Sequence, residues 1–305
     1  MRVASDGLLA RPGGSWTREK LDYVERYAHA FMAAMAVKRA EGKWRELVYI
    51  DLLAGPGKGI DHDSAREFLG SPLRALAVTP AFDRLFFRDL NATNIRTLRK
   101  RIPPTDVHRV DLAVGDCTVE AGRVVARLSE RTLGLAFIDP EGFEVKLALF
   151  RALSKRPIDA LFLFPSAGIR RNLAQFMKQP HTGLDDLMGG REWRELPIAK
   201  LAAGKRVGSD EKSAFVRSLI PLFRARMKTL GFRYQDEADP IMTNEKTLAC
   251  ITSCFSLNIL LGLLSGRTSR RLAVTNSARC SDGLLVRAAS RRDRPLGAQR
   301  SPRFT

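Results

Sequence analysis

Between residues 15 and 39 the apolar positions Leu21, Val24, Tyr27, Ala28, Phe31 and Met35 recur at helical spacing, which predicts an amphipathic helix with Thr17 as its N-cap. From Leu47 the pattern changes to short, nearly unbroken apolar runs at 47–51, 84–89, 110–116, 133–140 and 158–165. Helical patterns separate them. One opens at Ser71-Pro72, with Ser71 as cap and Pro72 at the first helical position; others cover 92–101 and 118–129. The stretch 176–208 is less regular and reads as an insertion. A further helix is expected over 211–230, ended by Gly231, and Phe232-Arg233-Tyr234 reads as a sixth strand.

Strands that are apolar throughout, rather than at alternate positions, belong to a parallel sheet covered on both faces. Alternation of such strands with helices predicts an α/β, doubly wound, mostly parallel sheet with helices on both faces. Ligands of these sheets lie beyond the carboxyl ends of the strands, where the strand order reverses. The pattern puts Asp51, Asp89, Asp116 and Asp139 at that edge.

The first run leads into Leu52-Leu53-Ala54-Gly55-Pro56-Gly57-Lys58-Gly59, a turn whose glycines let backbone approach a ligand closely. It lacks the Gly-Lys-Ser/Thr of a Walker A loop, and its third glycine comes one position early for G-x-G-x-x-G, so hydride transfer is disfavoured. An acid closing the second strand, here Asp89, commonly holds ribose hydroxyls, because its two oxygens accept both hydrogen bonds. Asp116 is positioned to reach an adenine amino group. Asp139-Pro140 leaves its strand in a fixed direction and can face a reacting group. The plain alternatives are an ordinary tight turn, solvated loop acids and a helix-capping acid.

The chain has 305 residues, 45% hydrophobic and 28% charged, enough for one large α/β domain or two small ones and not a disordered chain or a disulfide scaffold. Its net charge of +18 suggests nucleic acid or an anionic surface. Ten Arg against two Asp fall within 267–305, however, so much of the excess is local. A basic face at Arg96, Arg99, Lys100 and Arg101 with Ile169-Arg170-Arg171-Asn172 is a candidate for an anionic acceptor, a solvated face being the plainer reading. Cys117, Cys250, Cys254 and Cys280 form no paired framework, and Cys117 reads as a small buried residue rather than a nucleophile. No signal-peptide core is present, the apolar run at 255–264 is too short to span a membrane, and the four histidines show no metal-ligand spacing. These features lead to the expectation of a cytoplasmic protein without a membrane partner or metal.

Ser15-Trp16-Thr17 with Lys20-Leu21, Tyr49-Ile50-Asp51-Leu52-Leu53-Ala54-Gly55-Pro56-Gly57, Gly70-Ser71-Pro72, Phe137-Ile138-Asp139-Pro140-Glu141-Gly142 and Met242-Thr243-Asn244-Glu245-Lys246 occur in an order that resembles the three-Cys-motif partner proteins. The resemblance spans residues 15–247; Leu53 departs from the Phe common there. It implies a class I S-adenosylmethionine-dependent methyltransferase-like fold, Rossmann-like in plan. It also implies cofactor contacts at Asp51, Gly55 and Gly57, with Asp89 at the ribose and Asp116 at the adenine; Ala54 of the same turn is a further candidate contact, and Asp139 and Pro140 are the candidate reacting edge. The implied partner is a separate protein with three cysteines, similar to radical S-adenosylmethionine proteins. A methyltransferase, a non-catalytic partner subunit and a nucleic-acid-binding protein are the three functions these features admit.

Past Lys246 the resemblance stops, where a methyltransferase sheet normally ends in an antiparallel hairpin whose last strand lies inside the sheet. Codons for residues 247–262, read two bases later, allow Pro-Cys-Met-Tyr-His-Leu-Leu-Phe-Gln-Ser-Lys-His-Pro-Leu-Gly, close to the family ending. The expected organisation is therefore a flexible 1–14, a methyltransferase-like domain over 15–246 with an insertion at about 176–208, and an atypical, basic 247–305. That last segment is expected to be irregular or disordered and is read as the product of a frameshift near Lys246.

Overall fold

The apolar runs are strands of one sheet, and the parity of their side chains divides the core. In the computed structural model, which describes residues 1–204, 207–232, 241–244 and 247–254, the chain order opens with β1 (Arg2–Val3), β2 (Leu9–Gly13), α1 (Ser15–Ala40), β3 (Glu46–Asp51), β4 (Lys58–Asp61), β5 (Glu67–Leu69) and α2 (Ser71–Leu76). It continues through β6 (Arg84–Asp89), α3 (Ala92–Arg101), β7 (Val110–Val114), α4 (Cys117–Ala126), β8 (Thr132–Ile138), α5 (Leu147–Leu153) and β9 (Ile158–Phe164). It closes with α6 (Ser166–Lys178), α7 (Gly183–Met188), α8 (Pro197–Gly204), α9 (Ser209–Thr229), β10 (Ile241–Asn244) and β11 (Thr247–Cys254).

The main sheet has seven strands in the order β10-β11-β9-β8-β3-β6-β7. Its neighbours pair in parallel from β9 to β7, while β11 runs antiparallel to both β9 and β10. This is the doubly wound, mostly parallel fold expected, and the reversed strand lies inside the sheet, as the methyltransferase-like ending requires. The strand order turns back between β3 and β8, so the crevice at their carboxyl ends is the place for a ligand.

Val48, Ile50, Phe86, Ala136, Ile138, Ala160 and Phe162 point to the face covered by α4, α5, α6 and α9, where Phe150, Phe162 and Phe223 meet at ring distances of 5.0 to 5.6 Å. Leu47, Tyr49, Leu85, Phe87, Leu135 and Phe137 point to the other face, against Phe31, Met32, Leu76 and Leu98 of α1, α2 and α3. Alternating burial on two covered faces is why these strands read as continuous apolar runs.

Several boundaries differ from expectation. Residues 1–14 are not a flexible lead: β1 and β2 join β4 and β5 in a second sheet of order β1-β2-β4-β5, with β2 parallel to β4. The N-cap of α1 is Gly14, not Thr17, and the His62 ring fills the space where a side chain at Gly14 would go, its nearest carbon 2.7 Å away. Likewise Gly70 caps α2, leaving Ser71 and Pro72 as its first two residues; the Gly70 N–H donates to the Gly57 carbonyl at 2.8 Å and ties that helix to the glycine turn. The stretch read as an irregular insertion contains α7 and α8: α7 opens with a capping box between Thr182 and Asp185, and Asp185 accepts from Trp193 Nε1 at 2.9 Å and Arg194 Nη2 at 2.9 Å. Beyond Phe232 the expected sixth strand lies outside the described residues, as does the expected irregular tail past residue 254. The pairing of Thr247–Cys254 with β9 and β10 carries the sheet eight residues past the boundary expected at 246.

Candidate functional site at the carboxyl ends of the sheet

Asp51 ends β3 and is fully buried. Its Oδ1 accepts from the Leu53 N–H at 3.2 Å, while Oδ2 is buried without a hydrogen-bond partner; the Ser71 hydroxyl stands near without reaching hydrogen-bond geometry. Burial pushes this carboxyl up to about 7, against the pull of Ser71 and Leu53 and helped by the nearby carboxylates Asp139 and Asp89.

The turn after Asp51 uses its glycines for backbone shape. Gly55 and Gly57 have φ of +65° and +90°, the left-handed region, and a side chain on Gly57 would lie 2.8 Å from Leu98 Cδ1. The turn is pinned to the next strand. Ala54 N–H donates to the Arg88 carbonyl at 2.8 Å, and Gly55 N–H donates to Asp89 Oδ2 at 2.8 Å. Asp89, half-buried at the end of β6, also accepts from the Asn91 N–H at 2.7 Å and from Asn94 Nδ2 at 3.1 Å. Beside it Leu90 is 71% exposed.

Asp116 is exposed and caps α4, its Oδ1 accepting from the Thr118 and Val119 N–H groups at 2.9 and 3.1 Å. It follows Gly115, whose N–H donates to the Asp89 carbonyl at 3.1 Å, so the two acids share one corner of the sheet edge. Asp139 and Pro140 begin the loop after β8. That loop is braced by Glu144, which accepts from the Glu141 and Gly142 N–H groups at 2.7 and 2.9 Å.

The cleft between the glycine turn and the chain's N-terminal segment has a lining that includes Thr17, Lys20, Ala54, Gly57, Ser71 and Asp139. It holds about 50 Å³ of open space. Lys20 Nζ pairs with Asp139 inside it, with side-chain exposures of 12% and 20%. Arg11 pairs with Glu141, and Arg18 with Asp61 at 3.1 Å, so β2 and the start of α1 are fastened over the turn. Arg101 takes no part in a basic face: it is buried, paired with Asp6 at 2.9 Å, and donates to the carbonyls of Leu9 and Pro56.

A larger cavity, about 390 Å³, opens at the amino ends of β8 and β9 among Met35, Leu133, Ile158, Asp159 and Phe232. Volume and chemistry point to opposite ends of the sheet. The carboxyl end has the acids, the open turn and the reversal of strand order, and it is the candidate site.

No family model matches the chain, and no curated protein matches it. Solved structures do. A Legionella pneumophila protein is 18% identical with a TM-score of 0.37, covering 52% of this chain and 74% of its own. A Clostridium acetobutylicum S-adenosylmethionine-dependent methyltransferase is 16% identical with a TM-score of 0.29, covering 48% and 53%. The magnesium protoporphyrin IX methyltransferase of Synechocystis, solved with bound SAH, is 10% identical with a TM-score of 0.35, covering 75% and 81%. Likeness at this level carries no functional weight, and the fold rests on the strand order and register described above.

The structure brings Asp51, Ala54, Gly55, Gly57, Asp89 and Asp139 around one turn, with Asp116 at the neighbouring corner. Sequence reading missed Lys20 as a site residue, because a lysine on an amphipathic helix looks like a solvated one. Its partner is 119 residues away. Among the described residues no group of His, Cys and acids is placed to hold a metal ion, and no helix is long and apolar enough to cross a membrane.

Proposed function

We propose that this chain binds S-adenosylmethionine across the carboxyl ends of β3, β6 and β8, and that it is a methyltransferase-like protein acting with a separate three-Cys-motif protein. The observation that carries the reading is the contact between Asp89 and Gly55: the acid suited to a ribose and the turn suited to close backbone approach meet at the reversal of strand order. The residues present fit the group. Asp51 Oδ2 is a buried acceptor without a hydrogen-bond partner, Gly55 has open space where a side chain would go, its nearest neighbour there being Arg11 Nη1 at 3.9 Å, and exposed Leu90 offers an apolar surface to a base beside Asp89.

Asp89 already accepts three hydrogen bonds of the roughly four a carboxylate can take. Asn94, the longest of the three, yields when both ribose hydroxyls bind. Asp116 keeps its capping bonds through Oδ1 and has Oδ2 for an exocyclic amine. S-adenosylmethionine supplies an activated methyl group, so the chain's own work is to orient the acceptor and exclude water rather than to move protons. The three-cysteine partner is supported by the family resemblance alone.

Calorimetry tests the reading. Wild type is expected to bind S-adenosylmethionine, and Asp89→Ala to bind it at least about tenfold more weakly, since hydrogen bonds to a charged group are lost. No heat of binding in a folded wild type would sink the proposal. Binding with no methyl transfer to any protein or nucleic-acid extract would make the chain a cofactor-holding partner subunit.

A further inference from the structure

The adenosine end of such a ligand is served by Asp89, Leu90 and Asp116, but nothing yet explains Lys20 and Asp139. Two opposite charges with side-chain exposures of only 12% and 20% sit in a cleft of about 50 Å³, room for one or two waters. Ligand sites are commonly several hundred Å³, so the N-terminal cover has to shift before anything larger than water enters. Its fastenings allow that. Apart from the backbone pairing of β2 with β4, they are ion pairs, Arg11–Glu141, Arg18–Asp61, Arg101–Asp6 and Lys58–Asp6, over a small apolar patch of Ala4, Ala10 and Ile60.

We propose that Lys20 and Asp139 are the binding site for the zwitterionic amino-acid end of the ligand, Lys20 taking its carboxylate and Asp139 its ammonium group. Their mutual ion pair is the stand-in that keeps both charges partnered while the cover is shut. The inference rests on the cofactor reading above and deepens it. A half-buried charge costs free energy unless it is matched, and parting Lys20 from Asp139 alone would strand two. An incoming ammonium and carboxylate replace one ion pair by two, so the exchange leaves no charge unmatched. Thr17, one turn before Lys20 on α1, and Ser71 line the same cleft and offer hydroxyls to the same groups. The arrangement also selects: a nucleoside without the amino-acid end has nothing to offer in place of the pair it must disrupt.

The probes are S-adenosylhomocysteine, which carries the zwitterion, and 5′-methylthioadenosine, which lacks it, titrated into the full chain and into Lys20→Met, Lys20→Arg and Asp139→Asn. Wild type is expected to prefer S-adenosylhomocysteine by roughly tenfold or more, the scale of hydrogen bonds to charged groups. Lys20→Met and Asp139→Asn should each lose most of that preference while holding 5′-methylthioadenosine within about threefold of wild type, and Lys20→Arg should keep it. Retained 5′-methylthioadenosine binding reports that the variants are folded. An unchanged preference in both variants, or equal weakening of the two ligands, would overturn the assignment. If neither compound binds wild type, the cofactor reading falls and this proposal with it.

Discussion

A carboxyl group buried at the end of a strand must be either neutral or matched, and among the described residues no cation is paired with Asp51. Burial holds its proton on up to about pH 7 in the folded chain, against 3.8 for the free side chain. Below pH 4 both folded and unfolded chains carry the proton, and the stabilisation from the raised value is complete. Between about pH 4 and 7 the unfolded chain releases the proton and the folded one does not, so stability falls as pH rises, by up to about 4 kcal/mol at roughly 1.4 kcal/mol per unit. Asp51→Asn removes this dependence. Denaturant unfolding at pH 5 and pH 8 is expected to show a loss for wild type and a much smaller one for the variant; equal losses would assign the slope to another group. A cation bound in the cleft would favour the ionised form, so ligand affinity should rise across the same interval.

At the scale of elements, the sheet was legible and the cover was not. The run at 84–89 became β6 with its expected limits and the run at 158–165 became β9 one residue shorter, because both faces of each strand are buried and the hydrophobic signal is uninterrupted. The strands of the small sheet gave no such signal: β2 contains Pro12 and Gly13, and β4 is Lys-Gly-Ile-Asp. Their partners lie far apart in the chain, Arg11 opposite Gly59, so only topology brings them together. The same holds for the candidate site: its acids could be read from strand ends, while Lys20 could not. Arg88 was equally hidden inside an apolar run. It is fully buried on β6 and pairs at 2.8 Å with both Glu120 of α4 and Asp111 of β7, anchoring the outer strand. Arg88→Ala leaves buried Glu120 with Arg123 as its remaining partner and is expected to cost about 3 kcal/mol in denaturant unfolding, the low end for a broken buried pair. Replacing Arg88 and Glu120 together by Met and Leu should recover most of it; no recovery would mean that Asp111 and the local carbonyls carry the cost.

For the molecule as a whole, the open matter is the reading of the chain past Lys246. We propose that the coding DNA carries a frame change there, and sequencing it is the first measurement. Rebuilding the chain in the alternative frame from residue 247 is expected to raise the midpoint of thermal unfolding by about 5 °C or more, corresponding to roughly 3 kcal/mol at this size. An unchanged or lower midpoint would argue for the sequence as it stands. The +18 charge also looks different at this scale, since Arg88 and Arg101 spend their charge inside the fold and ten arginines lie within 267–305.

The reversed strand sets an order of events during synthesis. β10 touches the sheet only through β11, yet β10 is made first. Until residues 247–254 leave the ribosome, β10 has no neighbour to pair with and the outer edge of β9 stands bare. Among the described residues the last strand to emerge is thus the one that closes an edge able to recruit a strand from another chain, and a pause in translation near Lys246 lengthens the time for which that edge is open.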